Sequence, residues 1–255
     1  MKKYLISLLA LATSIIMQAQ VAASAASQDG SALWLSNKNL GTCQVSGADS
    51  DNATLAIAKD ELSKNYKGKA VTFQIDPSLN LGEGYQITPT SIKASQAIGI
   101  LYGAYELIRL QALGDADNMN KTKKPAVKLR ILNHWDNLDG SVERGYAGKS
   151  IWKWDDIKLD KNGKAKSISS ALHDRLITYA RANASLGING SVLNNVNASP
   201  KMMTAEYINK VKVIANIFRP YGIRVYLSIN FASPMALGYT KTADPLDKKV
   251  QQWWQ

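Results

Sequence analysis

Asn133 to Gly148 gathers Asp136, Asp139, Glu143, Arg144, His134, Trp135 and Tyr146 with three glycines in sixteen residues. Carboxylates at this density suit proton transfer or the binding of donor groups, and a guanidinium suits an anion. From residue types alone, Asp136, Asp139 and Glu143 form an acid–base set. The stretch follows Val127 to Leu132, where apolar and basic residues alternate as in a strand. Polar groups crowded just past a strand end mark a binding loop on a rigid scaffold. Trp135, Tyr146, Trp152 and Trp154 are expected to be exposed there, which a mere connection would rarely allow. Asn194, Asn195 and Asn197 follow one later apolar run, and Asn230 follows another.

Other chemistries lack their residues. His134 and His173 stand far apart and Cys43 is the only cysteine, so no metal-ligand spacing and no internal disulfide arises. No glycine-rich phosphate loop opens a helix. The net charge is +11, but the basic residues are dispersed apart from Lys121, Lys123 and Lys124. Nucleic-acid binding would need a contiguous patch on a recognisable module. The surface therefore reads as solvated and basic, with at most a modest preference for anions.

The elements that must hold these residues fall into three parts. Lys2 and Lys3 precede an apolar core, Leu5 to Met17, and the small-residue tract Ala23-Ser24-Ala25. Residues 1–25 are expected to be a cleaved export signal, which makes the mature protein periplasmic or extracellular. No later apolar run approaches the ~18 residues of a membrane span, so stable membrane insertion after cleavage is not expected.

Residues 28–120 read as a small α/β sandwich domain. The expected elements are a short strand at Leu33-Trp34-Leu35, a helix over Asp51 to Tyr66 and a strand over Val71 to Ile75. A hairpin around Pro89 and an apolar helix over Gln96 to Leu113 complete it. Asp115 to Pro125 is polar and reads as the linker. From residue 126 to 255, strands at Val127 to His134, Ile188 to Leu193 and Ile223 to Ile229 alternate with helices at Ile168 to Leu186 and Ala205 to Phe218. A long loop separates the first strand from the first of these helices. Polar residues at each strand's carboxyl end make this the first part of a (β/α)8 barrel. A whole barrel takes ~250 residues, so it reads as truncated after about three strands.

His134-Trp135-Asp136-Asn137 through Gly148, continued by Ser150-Ile151-Trp152, resembles the first barrel loop of the glycoside hydrolase family 67 α-glucuronidases. Ile98 to Gly103 with Leu107 is similar to the last helix of the non-catalytic domain that precedes the barrel there and in β-hexosaminidases. Asn194 to Asn197 and Ser228 to Phe231 are similar to the second and third strand ends. The resemblance implies hydrolysis of (4-O-methyl)glucuronic acid from glucuronoxylan oligosaccharides, by inversion and without metal or other cofactor. Inversion needs an acid and a base ~6.5–9.5 Å apart on opposite faces of the sugar. In the family both follow the fourth and later strands, so the resemblance places them beyond Gln255 and leaves this chain inactive alone. One loop does not place two carboxylates on opposite faces of one sugar. The expected substrate-binding residues are therefore Glu143, Arg144, Trp152, Tyr146, Asp136, Asp139, Asn195 and Asn230. Asp136 and Asp139 equally suit bracing of the loop. An oligomer is expected only through the missing carboxyl-terminal part. A carbohydrate-binding protein without catalysis and a β-hexosaminidase-like glycosidase are the alternatives.

Overall fold

The computed structural model describes residue 35 and residues 43–47, 51–145 and 148–255. The export signal, all but the last residue of the Leu33 to Leu35 strand, and Tyr146 lie outside the described residues.

Asn52 starts helix α1 (Ala53–Asn65) by accepting the Thr54 and Leu55 amides on its side chain at 3.0 and 3.1 Å. The first sheet runs β1 (Val45–Ser46), β2 (Val71–Ile75), β4 (Ser91–Ala94), β3 (Tyr85–Thr88), β5 (Lys121–Lys123) across its width. β1, β2 and β4 are parallel, whereas β3 pairs antiparallel with β4 and β5. Helix α2 (Ala97–Ala112) buries a continuous run from Gly99 to Ile108. A helix apolar on all sides belongs between two layers, and α2 packs against the sheet, α1 and the second half of the chain. Gly99 permits the closest approach, since a Cβ there would stand 2.2 Å from the Gly84 carbonyl oxygen.

The polar stretch expected as a linker is in part structural. β5 adds Lys121–Lys123 to the open edge of β3, and Met119 is buried just before it. Lys-Thr-Lys has no apolar alternation to announce a strand. It pairs because β3 offers a free ladder edge, and Lys121 closes an ion pair with the buried Glu106.

The second half forms a three-stranded parallel sheet, ordered β10 (Arg224–Tyr226), β9 (Gly190–Val192), β6 (Ile131–Asn133). Helices α3 (Ser170–Ser185) and α4 (Ala205–Phe218) connect its strands. β6 is shorter than the alternation from Val127 predicts, and Val127 and Leu129 are exposed. The reason lies in Arg130 and Asn189. The Arg130 amide donates to Asn189 Oδ1 at 2.8 Å, and Asn189 Nδ2 donates to the Lys128 carbonyl at 2.7 Å. The Asn189 amide still donates to the Arg130 carbonyl at 3.0 Å, and beyond it side chain–backbone bonds take the place of a ladder.

The expected loop between β6 and α3 contains a further element, the hairpin of β7 (Ile157–Leu159) and β8 (Ala165–Ile168). α5 (Ser233–Ala236) and α6 (Lys248–Trp254) end the chain. The fold is thus mixed α/β, and one apolar cluster runs from Leu55, Phe73 and Ile92 through Leu101 and Tyr105 to Leu176 and Phe218. The two halves are also tied by Arg181, whose Nε and Nη2 donate to Glu61 at 2.5 and 2.8 Å.

Candidate functional site

β6 and β9 run parallel in register, so Asn133 pairs with Val192 and the chain beyond each emerges on the same edge. The loop after β6 is folded back by bridges between Asp136 and Val142 and between Ser141 and Lys149. The segment after β9 docks onto it, because the Asn195 amide donates to the Asp136 carbonyl at 3.0 Å.

Asn195 is the hub. Buried at 3% exposure, it donates through Nδ2 to Asn137 Oδ1 at 2.5 Å and to Glu143 Oε2 at 2.8 Å. Its own Oδ1 accepts the Asn197 amide at 2.5 Å. Every polar atom of this amide is used in holding Glu143 and both loops. Asn194 clamps the next strand end reciprocally, donating to the Ser228 carbonyl at 3.0 Å and accepting its amide at 2.9 Å.

The two carboxylates of ambiguous role are both engaged by the loop. Asp136 is buried and accepts from Ser150 Oγ and from the Ile151 amide, the latter at 3.2 Å. Asp139 is exposed and accepts the Ser141 hydroxyl at 2.6 Å and amide at 2.9 Å. These bonds hold the Asp139 carboxyl below its ordinary range, the wrong direction for a proton donor at neutral pH.

Arg144 is exposed, with the left-handed conformation φ 58°, ψ 9°, and Gly145 beside it has φ 67°. A non-glycine residue in that region is uncommon and marks a constrained turn.

Two expectations of exposure are corrected. Trp152 is only 1% exposed, and Trp154 is buried as well. Trp152 packs edge-on against His134, Tyr179 and Phe218, with centroids 5.2, 5.2 and 6.1 Å away, and so is placed as core rather than as an open platform for a sugar. Trp152 and Trp154 fill space against the helices, whereas Trp135 is exposed as expected. Asn230 stands apart from the loop cluster, its Oδ1 accepting the Ala232 amide at 2.9 Å in the turn after β10.

Asp136, Asp139 and Asn195 instead line one cavity of about 410 Å³. Asn137, Asn194, Asn197, Ser199, Lys201 and Tyr207 complete its polar wall. Lys201 and Tyr207 escaped the sequence reading because they follow β9 by several residues. The only signal for them was proximity to the Asn194 to Asn197 run. A second cavity, about 550 Å³, shares Leu138 and Asp139 with the first and extends past Ser150 to Asp156. Amides, hydroxyls, carboxylates and one ammonium around an open cavity suit a neutral or anionic polyhydroxylated ligand. Among the described residues no cluster of His, Cys, Asp and Glu could hold a metal ion, and no helix is long and apolar enough to cross a membrane.

His134 sits beneath this wall. Its Nε2 shares a hydrogen bond of 2.7 Å with Tyr179 Oη, which shares another of 2.9 Å with Ser191 Oγ. Burial pushes the imidazole below its ordinary pKa, against the opposing pull of Asp136. That is the pattern of a structural histidine.

Residues 109–255 match the model of the glycosyl hydrolase family 67 middle domain. The probable alpha-glucuronidase A of Aspergillus oryzae is 43% identical over 156 residues, covering 61% of this chain and 17% of that protein. The alpha-glucuronidase A of Emericella nidulans is 41% identical over 161 residues, covering 61% and 18%. The chain thus spans less than a fifth of the length of these curated relatives. Among solved structures, a GH138 enzyme targeting pectin rhamnogalacturonan II aligns with a TM-score of 0.49. The alignment covers 83% of this chain and 28% of that one at 17% identity.

Proposed function

The chain belongs to glycosyl hydrolase family 67, and from that premise we propose that it is part of an exported α-glucuronidase releasing (4-O-methyl)glucuronic acid from glucuronoxylan oligosaccharides by inversion. The observation that carries this reading is the shared cavity, built by the loop after β6 and the segment after β9 within the family-matching region. The relatives' names, alpha-glucuronidase, support the glycosidase part of this reading.

In this reading the parallel strands β6, β9 and β10 open a (β/α)8 barrel, and the cavity lies at the carboxyl-terminal face where barrel sites assemble. Residues 28–120 form the non-catalytic domain, residues 126–255 the first part of the barrel, and residues 1–25 the export signal. Asp139, Asn197 and Tyr207 offer donors and acceptors to sugar hydroxyls, while Asn194 braces the wall through Ser228. Lys201 offers charge to the uronate. Glu143, set by Asn195, positions the sugar or the pocket around it, with Arg144 at its margin. The proton donor and the base that activates water come from outside these 255 residues. Each supplies a factor of ~100 to 10,000, so this chain alone binds and does not hydrolyse.

Binding is the direct test. Nuclear magnetic resonance titration of the 255-residue chain with glucuronosyl-xylotriose is expected to shift the amides of Asp139, Asn195 and Asn197, while xylotriose leaves them in place. Equal responses to both sugars, or none to either, would remove the uronic-acid reading.

A further inference from the structure

His134 lines neither cavity, but it lies where the walls of both are tied together. Its amide donates to the Val192 carbonyl at 3.1 Å, which fixes the backbone on the end of β9. Its ring packs against Trp152, and its Nδ1 faces Asp136 Oδ1 at 3.8 Å. The other carboxylate oxygen, Oδ2, accepts from Ser150 and Ile151, and the Asp136 carbonyl accepts the Asn195 amide. Asn195 in turn holds Glu143. Asp136 thus connects the ring to both cavities, because it lines the first and anchors Ser150 of the second.

Counting protons assigns the tautomer of this ring. Ser191 on β9 is 0% exposed, and its hydroxyl has one partner among the described residues, Tyr179 Oη. A buried hydroxyl proton needs an acceptor, so Ser191 donates to Tyr179. Tyr179 on α3 then gives its own proton to its one other partner, His134 Nε2. Nε2 is therefore the acceptor, and the neutral ring carries its proton on Nδ1, toward Asp136. Charging the ring would reverse the chain. Nε2 would donate to Tyr179 and Tyr179 to Ser191, whose proton would be left buried without an acceptor. A charged ring would also pull Asp136 Oδ1 toward Nδ1, out of the geometry in which Oδ2 takes Ser150 and Ile151. Among the described residues, Asp136 is the one charged group that bears on the ring. α3 presents Tyr179, kept neutral by burial, and β9 presents Ser191.

We propose that His134 is a positioning residue for the sugar-binding cavity: held by Ser191 and Tyr179 as the Nδ1–H tautomer, it fixes Asp136 and, through Asn195, Glu143. The ligand's identity rests on the uronic-acid reading above, whereas the relay does not. When the ring takes up a proton in acid, the loop after β6 loosens and the cavity loses affinity. His134 does this without touching the sugar or transferring a proton to it.

Long-range proton–nitrogen magnetic resonance of the purified chain reads both imidazole nitrogens of His134, with the exposed His173 as internal reference. At neutral pH the proton is expected on Nδ1; a ring carrying it on Nε2 would overturn the proposal. Tyr179→Phe removes the hydroxyl that Nε2 accepts and should move the ring to the Nε2–H form, and an unchanged tautomer would count equally against it. As pH is lowered, the Ile151 and Asn195 amides should shift with the midpoint of the His134 ring. Amides that stay in place, or follow another midpoint, would break the link from ring to wall. Affinity for glucuronosyl-xylotriose should fall about tenfold in Tyr179→Phe, the worth of one hydrogen bond, and in the unaltered chain below the ring's midpoint. Gly99→Ala, which strains the packing of α2 on the first sheet, should lower the melting temperature and leave this affinity unchanged. An equal loss in Gly99→Ala would reduce the effect to general stability and sink the proposal, as would full affinity in Tyr179→Phe. Failure of the unaltered chain to bind the sugar at any pH counts against the uronic-acid reading alone, because the tautomer and the two amides test the relay without a ligand.

Discussion

At the scale of single residues, the site is a set of polar side chains whose valences are largely spent on one another. Asn195 joins Glu143, Asn137 and Asn197, and Asp136 is held by Ser150 and Ile151. Glu143 therefore acts as part of a positioned wall. In the active enzyme, Glu143→Gln is expected to lower kcat/KM by about tenfold, the loss of one charge-assisted hydrogen bond. Both limbs of the pH–rate profile should remain, because the acid and base still titrate. Disappearance of one limb would identify Glu143 as a proton-transfer group. His134 makes a separate prediction for stability. Its folded-state pKa is lowered, so the unfolded chain binds its proton more readily. The contribution is fully present above the unfolded value, about 6.5, and is lost as pH falls through the lower folded one. Melting temperatures should drop across that window, and His134→Asn should flatten the drop. An equally steep drop in the variant would assign it to other groups.

At the scale of elements, packing decides what the sequence shows. α1, β2, the β3–β4 hairpin, α2 and α4 stand near their expected bounds, because each carries its own apolar periodicity or turn residues. β5 and the β7–β8 hairpin were hidden for opposite reasons. β5 is polar and borrows the edge of β3. The hairpin carries four exposed lysines around an Asp-Lys-Asn-Gly turn, and it reads as loop. The loop's polar cluster was visible as a candidate site from residue types alone, and the structure brings Asp136, Asp139, Glu143 and Asn195 close together. Burial of Trp152 was not visible, since it depends on where Tyr179 and Phe218 arrive from helices downstream. The closeness of α2 to the first sheet can be tested at Gly99. A Cβ there meets backbone at Gly84 and the Ala94 side chain at 2.7 Å, so Gly99→Ala should cost about 1–3 kcal/mol by overpacking. An unchanged denaturation midpoint would show that α2 sits farther from the sheet.

At the scale of the whole molecule, the apolar cluster crosses from the first sheet to the helices of the second, and Arg181 pairs with Glu61 across the same boundary at 17% and 8% side-chain exposure. The halves should therefore unfold in one transition. Arg181→Ala leaves Glu61 buried without its cation and should cost about 3 kcal/mol, lowering a single midpoint. Two resolved transitions in the unaltered chain would show independent halves. A rigid junction matters because it fixes the strands whose ends form the cavity, and uronic-acid release with inversion depends on the cavity's place on those strand ends. The most direct measurement is time-resolved proton magnetic resonance of glucuronosyl-xylotriose hydrolysis by the full gene product. Free glucuronic acid is expected to appear first as the β-anomer and then to mutarotate. First appearance of the α-anomer, or no release of uronic acid, would contradict it.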